Sequence, residues 1–307
     1  MNSSFSRTII YLLIGYVILL IILSMSDWIQ TNYPRRPSQL TNQERIQHPV
    51  YHSSAIRALD KFYDLSDSEK THIRHQLNQQ LTGITNWLDW LNESRFQVIC
   101  LGELHTESTR SFLASDFFTK INMDILLLEA VPEEINHFMT LFDNKRDYFP
   151  LLDADILNII RTSTKKNPHI KIFGIEQTNA QQNASQKRHS RDDHIFTNFW
   201  DRFESGKTHI ALLGALHCAD TPNWFYGNLC KEIPFSSKLT HINVIVLGEH
   251  QNGPLEAFVY FLDEIGLPKK NFAIHDYLSL PSFIDESFQQ LSSQLFDKYR
   301  SVIVFRQ

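Results

Sequence analysis

Two stretches of the chain end an apolar run on groups that move protons near neutral pH. FQVICLGELH closes on Glu103 and His105, and THIALLGALH closes on His217, each through a glycine, one residue, an apolar residue and a histidine. Three further apolar runs end in kind, at Glu129, at Glu176 with Gln177, and at Glu249 with His250. A carboxylate or imidazole just past a buried run is costly to leave unpaired, so the recurrence predicts one shared polar cavity. A single instance would be explained by a cap or a loop hydrogen bond.

Two histidines with two or three carboxylates suit a divalent metal such as zinc or manganese, with a water in the open position. The ligands would be His105, His217, Glu103 and Glu129, and a spare carboxylate would act as base toward the metal's water. The same four residues also allow acid–base hydrolysis without metal, with Glu103 or Glu129 activating a water. A third reading is haem held against His217, with Trp224 and Tyr226 as cofactor contacts in the aromatic run beyond it. Helix cores use such aromatic runs too. Gly102 and Gly214 let the backbone turn at the strand exits and leave room for a ligand or a neighbouring side chain.

The elements that must position these groups alternate. Strands are expected over 97–101, 124–128, 170–175, 209–213, 242–247, 272–275 and 301–305. Helices are expected between them over 109–121, 133–142, 154–163, 180–204, 222–231, 254–265 and 282–299. This is the pattern of an α/β domain with a mixed, mostly parallel sheet flanked by helices, its near-continuous apolar strands buried on both faces. In such sheets the ligand crevice lies outside the carboxyl ends of the strands, where the polar endings fall. Ahead of the sheet, 51–63 and 66–92 read as helices, the second starting at Ser66 or Ser68 with Glu69 in its first turn.

Residues 8–25 carry no charge and follow Arg7, so 1–26 reads as an N-terminal transmembrane helix, a membrane anchor or signal-anchor. Ser24 and Ser26 are spaced as in a signal-peptidase site, yet the apolar run is longer than a usual signal core. A polar stretch with two prolines follows, making 27–50 a linker, then a helical extension over 51–94 and the α/β domain over 95–307. A single-pass membrane protein with a periplasmic or extracytoplasmic body is the expected arrangement. The net charge of −5 offers no basic face, which argues against nucleic acid as a partner. Of the three cysteines, Cys100 reads as a small buried hydrophobe. Cys218, next to His217, reads as a ligand or redox-sensitive thiol, and a Cys218–Cys230 bridge is open to a body outside the cytoplasm.

GELH at 102–105, Glu129, the Arg191-Asp192 pair and GALH at 214–217 resemble the motif set of the Tiki/TraB, erythromycin-esterase and ChaN-like superfamily. The glutamate after the first glycine is more similar to the esterase and ChaN branches than to the Tiki branch. The resemblance covers the chain from Phe96 onward and implies a mixed α/β fold whose paired Gly-x-x-His motifs build one site. By branch it implies metal-dependent proteolysis, ester or lactone hydrolysis, or haem binding. It carries Glu103, His105, Glu129 and His217 over as site residues, with Arg191 holding a carboxylate or a substrate anion. Glu176 joins them from its strand placement, as a cofactor or substrate contact. The resulting expectation is a membrane-anchored, metal-dependent hydrolase of esters or peptides, with a haem- or cofactor-binding protein as the alternative.

Overall fold

The computed structural model describes residues 49–143, 154–184, 190–232, 240–250, 253–267, 270–276, 278 and 295–306. Contacts divide the chain after Pro49, and the unit Val50–Gln307 carries the sheet. The expected anchor and linker lie outside the described residues, as does most of the helix expected over 282–299. Among the described residues, no helix is long and apolar enough to cross a membrane.

Helices α1 (Pro49–Tyr63) and α2 (Asp67–Gln80) come first, followed by β1 (Thr82–Gly83) and α3 (Ile84–Glu93). The alternating part runs β2 (Val98–Glu103), α4 (Glu107–Phe112), β3 (Ile125–Leu128), α5 (Pro132–Asp143), α6 (Ala154–Lys166), β4 (Lys171–Gly174), α7 (Asn179–Ala184) and α8 (Ser190–Trp200). It continues with β5 (His209–Gly214), α9 (Phe225–Glu232), β6 (His241–Gly248), α10 (Gly253–Glu264), β7 (Phe272–His275) and β8 (Ser301–Phe305).

The strands form one eight-stranded sheet in the order β1-β7-β8-β6-β2-β5-β3-β4. From β8 to β4 every pairing is parallel, while β7 and β1 are antiparallel additions at one edge. The chain moves outward from β2 to β3 and β4, returns as β5 between β2 and β3, then passes to the other side of β2 as β6. That reversal sets the carboxyl ends of β2, β5 and β3 side by side, in the place where open α/β sheets bind ligands.

Both faces of the sheet are covered, as strands without polar alternation require. Val98, Cys100, Leu127, Ala211, Leu213 and Ile245 face one core, packed by residues of α1, α2, α8, α9 and α10. Ile99, Leu101, Leu126, Leu128, Ile210 and Val244 face the other, packed by residues of α3 to α6.

Among the described residues, two helices expected as continuous are broken. The reading of 66–92 as one helix fails at Leu81, which leaves helical geometry at φ −89°, ψ 91°. β1 then pairs with β7, Thr82 opposite Ala273 and Gly83 opposite Phe272. The break has a packing cause. Ile73 and Leu77 of α2 belong to one core, whereas Ile84, Trp87, Leu88 and Leu91 of α3 belong to the other, so the chain crosses the sheet edge between them. The start of α2 follows the capping rule: Glu69 N–H donates to Ser66 Oγ at 3.3 Å, and Ser66 N–H donates to Glu69 Oε2 at 2.8 Å. The helix expected over 109–121 becomes α4 and a π-helical turn, Leu113–Phe117. Of the helix expected over 180–204, α7 and α8 are described, and α8 ends at Trp200.

Candidate functional site

Glu129, one residue past β3, is the hub of the carboxyl rim. Its Oε2 accepts from the Gly214 N–H at 2.5 Å and lies 3.5 Å from His105 Nε2. Its Oε1 accepts from Arg191 Nη2 at 2.6 Å and lies 3.5 Å from His217 Nε2. Glu176, beyond β4, takes the rest of the guanidinium: Arg191 Nε donates to its Oε1 at 2.9 Å and Nη2 to its Oε2 at 2.5 Å. Arg191 stands in the first turn of α8, which brings it over the ends of β3 and β4.

Each imidazole is held by a second carboxylate at its other nitrogen. His105 Nδ1 lies 2.9 Å from Glu103 Oε1, and His217 Nδ1 lies 2.7 Å from Asp192 Oδ1. Asp192 Oδ1 also accepts from the Phe225 N–H at 2.8 Å, which ties the start of α9 to the same atom. Arg110 in α4 donates from Nε to both oxygens of Glu103, at 3.0 and 3.1 Å, and its Nη2 lies 3.0 Å from His105 Nδ1. An Nδ1 proton goes to the carboxylate, since the guanidinium cannot accept, and the tautomer that carries it leaves the His105 Nε2 lone pair toward Glu129 and solvent.

Backbone geometry brings His105 to this position. Its φ of 52° lies in the left-handed region that non-glycine residues rarely occupy, so the chain bends sharply just after β2. The ring then lies over Gly214, where a Cβ would sit 2.7 Å from His105 Nε2 and 3.3 Å from Glu129 Oε2. That glycine is the room in which the imidazole fits.

The two histidines differ in burial and in proton affinity. His217 is 5% exposed, whereas the His105 side chain is 46% exposed. Burial pulls the His217 pKa down, but hydrogen bonds to Asp192 and Glu129 outweigh it and raise the value from 6.5 to about 9. His105 is also raised, first by its bond to Glu103, with burial opposing. For Glu129 burial pushes upward, yet contacts with His217, Gly214 and His105 carry its carboxyl down to about 2. Arg191 is raised by its bonds to Glu176 and Glu129, although burial opposes them. At neutral pH His217 is therefore an imidazolium between two carboxylates, and Glu129 is a permanent anion.

Glu103, His105, Glu129, Glu176, Arg191 and His217 thus lie in one cluster. Trp224 stays beside it, its ring edge-on to His217 with centroids 5.5 Å apart. Tyr226 does not: its hydroxyl pairs with His241 Nδ1 at 2.9 Å. His241 opens β6, so that contact is at the amino end of the parallel strands, away from the rim. Tyr226 lies inside α9, whereas Trp224 precedes that helix. Glu249 and His250 build a separate cluster, in which Glu249 accepts from Arg306 Nε at 2.5 Å and His250 Nδ1 lies 3.2 Å from Glu256 Oε1.

Arg110 and Asp192 are the partners that sequence reasoning did not place in the site. Asp192 carries a signal, its adjacency to Arg191 at a helix start. Arg110 carries none, since its pairing depends on how α4 folds back over β2. The cysteines also pair otherwise than expected: Cys100 is bridged to Cys218, both fully buried, and Cys230 is the free thiol.

A metal at this rim would draw on the Nε2 lone pairs of His105 and His217 and on Glu129. His217 is held protonated, Glu129 is engaged by a guanidinium and a backbone amide, and Glu103 faces the Nδ1 side of His105, bound by Arg110. Among the described residues, no group of three or more His, Cys, Asp or Glu side chains is arranged to hold a metal ion. Each of these side chains is already engaged by another, and a metal would have to take the place of the His217 proton and of the Arg191 bond to Glu129. Both His217 nitrogens face carboxylates, and Tyr226 points away from the rim.

No family model matches the chain, and no curated protein matches it. A solved structure described as "Crystal structure of bacterial protein toxins" is similar at 14% identity and a TM-score of 0.34, covering 64% of this chain and 43% of that one. Another, "Bacterial protein toxins", is similar at 14% identity and a TM-score of 0.35, covering 67% of this chain and 44% of the other. The chain spans less than half the length of these structures, and likeness at this distance carries no argument about its function.

Proposed function

We propose that the chain is a metal-free hydrolase of carbonyl esters or lactones, in which His105 is the general base. The observation that carries this reading is the pair of carboxylate-oriented imidazoles, His105 with Glu103 and His217 with Asp192, both directing Nε2 at Glu129. His105, half exposed, takes a proton from water at Nε2 while Glu103 steadies the imidazolium that forms. The water attacks the carbonyl, and the oxyanion develops beside the half-exposed Arg191 guanidinium with the His217 imidazolium behind it. Its collapse breaks the ester C–O bond, the alcohol leaving with the proton from His105 Nε2. Glu129 is too weak a base for this work, and it acts by holding His105, His217 and Arg191 in register.

The similarity to the esterase branch of the Tiki/TraB, erythromycin-esterase and ChaN-like motif set supports the choice of ester over peptide, because the peptide-cleaving branch is the metal-dependent one. We place the body in an oxidising compartment, tethered by the apolar segment 8–25. The Cys100–Cys218 bridge supports that placement, since such bonds persist where thiols are not kept reduced. The test is a panel of p-nitrophenyl esters and lactones offered to the full-length chain in detergent with a chelator present. Release of acid by the native chain and not by His105→Ala is expected. Equal rates for the two would overturn the proposal.

A further inference from the structure

We propose that the Cys100–Cys218 disulfide is a positioning device for the site, locking the turn that carries His217 onto the strand that carries Glu103. Cys100 lies in the middle of β2, three positions before Glu103, and Cys218 directly follows His217 in the turn Ala215–Cys218. The turn rides tightly on that strand. A Cβ placed on Gly102 would meet Ala215 Cα at 3.0 Å and Cys218 Cβ at 3.3 Å.

Two other groups hold the same four residues. Asn243, fully buried in β6, donates from Nδ2 to Cys218 O at 2.8 Å and to Lys298 O at 2.7 Å. The Tyr299 hydroxyl donates to Ala215 O at 2.8 Å. His217 is thus anchored through its backbone on one side, while its ring reaches Asp192 and, through Glu129, Arg191 and His105 on the other. The covalent member of this clamp is the one that joins the two Gly-x-x-His segments directly. Small displacements of a group beside the reacting atoms cost about 100-fold in rate, so the register of the turn is a catalytic quantity.

The kinetic part rests on the hydrolase reading, and the structural part does not. Full-length chain purified without reductant, then unfolded in iodoacetamide, is expected to be alkylated at Cys230 alone, and at all three cysteines after reduction. Three labelled thiols without reduction would overturn the proposal. In Cys100→Ala/Cys218→Ala, kcat on the best ester of the panel is expected to fall by about 100-fold with KM kept. The protected downfield proton shared by His217 Nδ1 and Asp192 is expected to shift or vanish from the NMR spectrum. Tyr299→Phe, a milder change should the double variant not fold, is expected to move the same resonance less, in the same direction. A native resonance with native kcat in either folded variant would overturn the clamp. Should the native chain hydrolyse no ester, the esterase reading falls, and the resonance still decides the clamp.

Discussion

His105 and His217 approach one carboxylate from two sides, each with Nε2 at 3.5 Å from a different oxygen of Glu129. The acid between them keeps the two rings in a fixed relation without bonding either to the other. One ring is half open to solvent and the other is enclosed.

The first consequence is for the base. His105→Ala is expected to lower kcat by about 10²- to 10⁴-fold, the range of a positioned proton acceptor. Glu103→Gln, which keeps the shape and removes the charge, is expected to give a smaller loss. Steady-state kinetics on a p-nitrophenyl ester reads both, and a larger loss for the glutamine variant would contradict the assignment.

Rate should follow pH in a bell. His105 is raised above 6.5 and works only when deprotonated, so activity is expected to climb as pH rises past that value. His217 supplies charge only as an imidazolium, so activity should decline as pH passes about 9. A profile of kcat/KM against pH with its maximum below pH 6.5 would refute the pairing of roles.

Stability carries the same signature. The folded His217 pKa of about 9 exceeds the unfolded value of 6.5, so its contribution is complete below 6.5 and fades as pH rises through 9. Asp192→Ala, which leaves an enclosed imidazolium with half its partners, is expected to cost about 3–5 kcal/mol near neutrality. Urea unfolding checks this, and the gap between native and variant should narrow in alkaline buffer.

Gly214→Ala tests the fit of the ring. The position has φ −56° and ψ 146°, which alanine adopts without strain, so the penalty is purely steric. The added carbon would displace His105 from 2.7 Å, at a cost of about 1–3 kcal/mol and most of the activity. Thermal melting paired with kinetics separates the two effects, and a fully active variant would show that His105 need not lie over this residue.

Removal of divalent metal is expected to leave kcat unchanged. Dialysis against a strong chelator, followed by assay with and without added zinc or manganese, decides it. Activity lost on dialysis and restored by either ion would reverse the metal-free reading.

The amino-acid order was enough to locate β2 to β8, because their apolar runs are continuous and end abruptly on polar groups, whereas β1 fell inside an expected helix. It also marked Glu103, His105, Glu129, Glu176 and His217, since each stands just past an apolar run, where position along one element dictates location in space, while Arg191, inside the helix expected over 180–204, came from the motif resemblance alone. Pairings between distant elements left no such trace. Arg110 finds Glu103 because α4 turns back over β2, Cys100 finds Cys218 because the turn after β5 packs onto that strand, and α2 parts from α3 because their apolar faces serve opposite sides of the sheet. Local periodicity records which way a side chain points along its own element. Which group it meets there depends on the order of the strands, and that order follows from packing the whole chain at once.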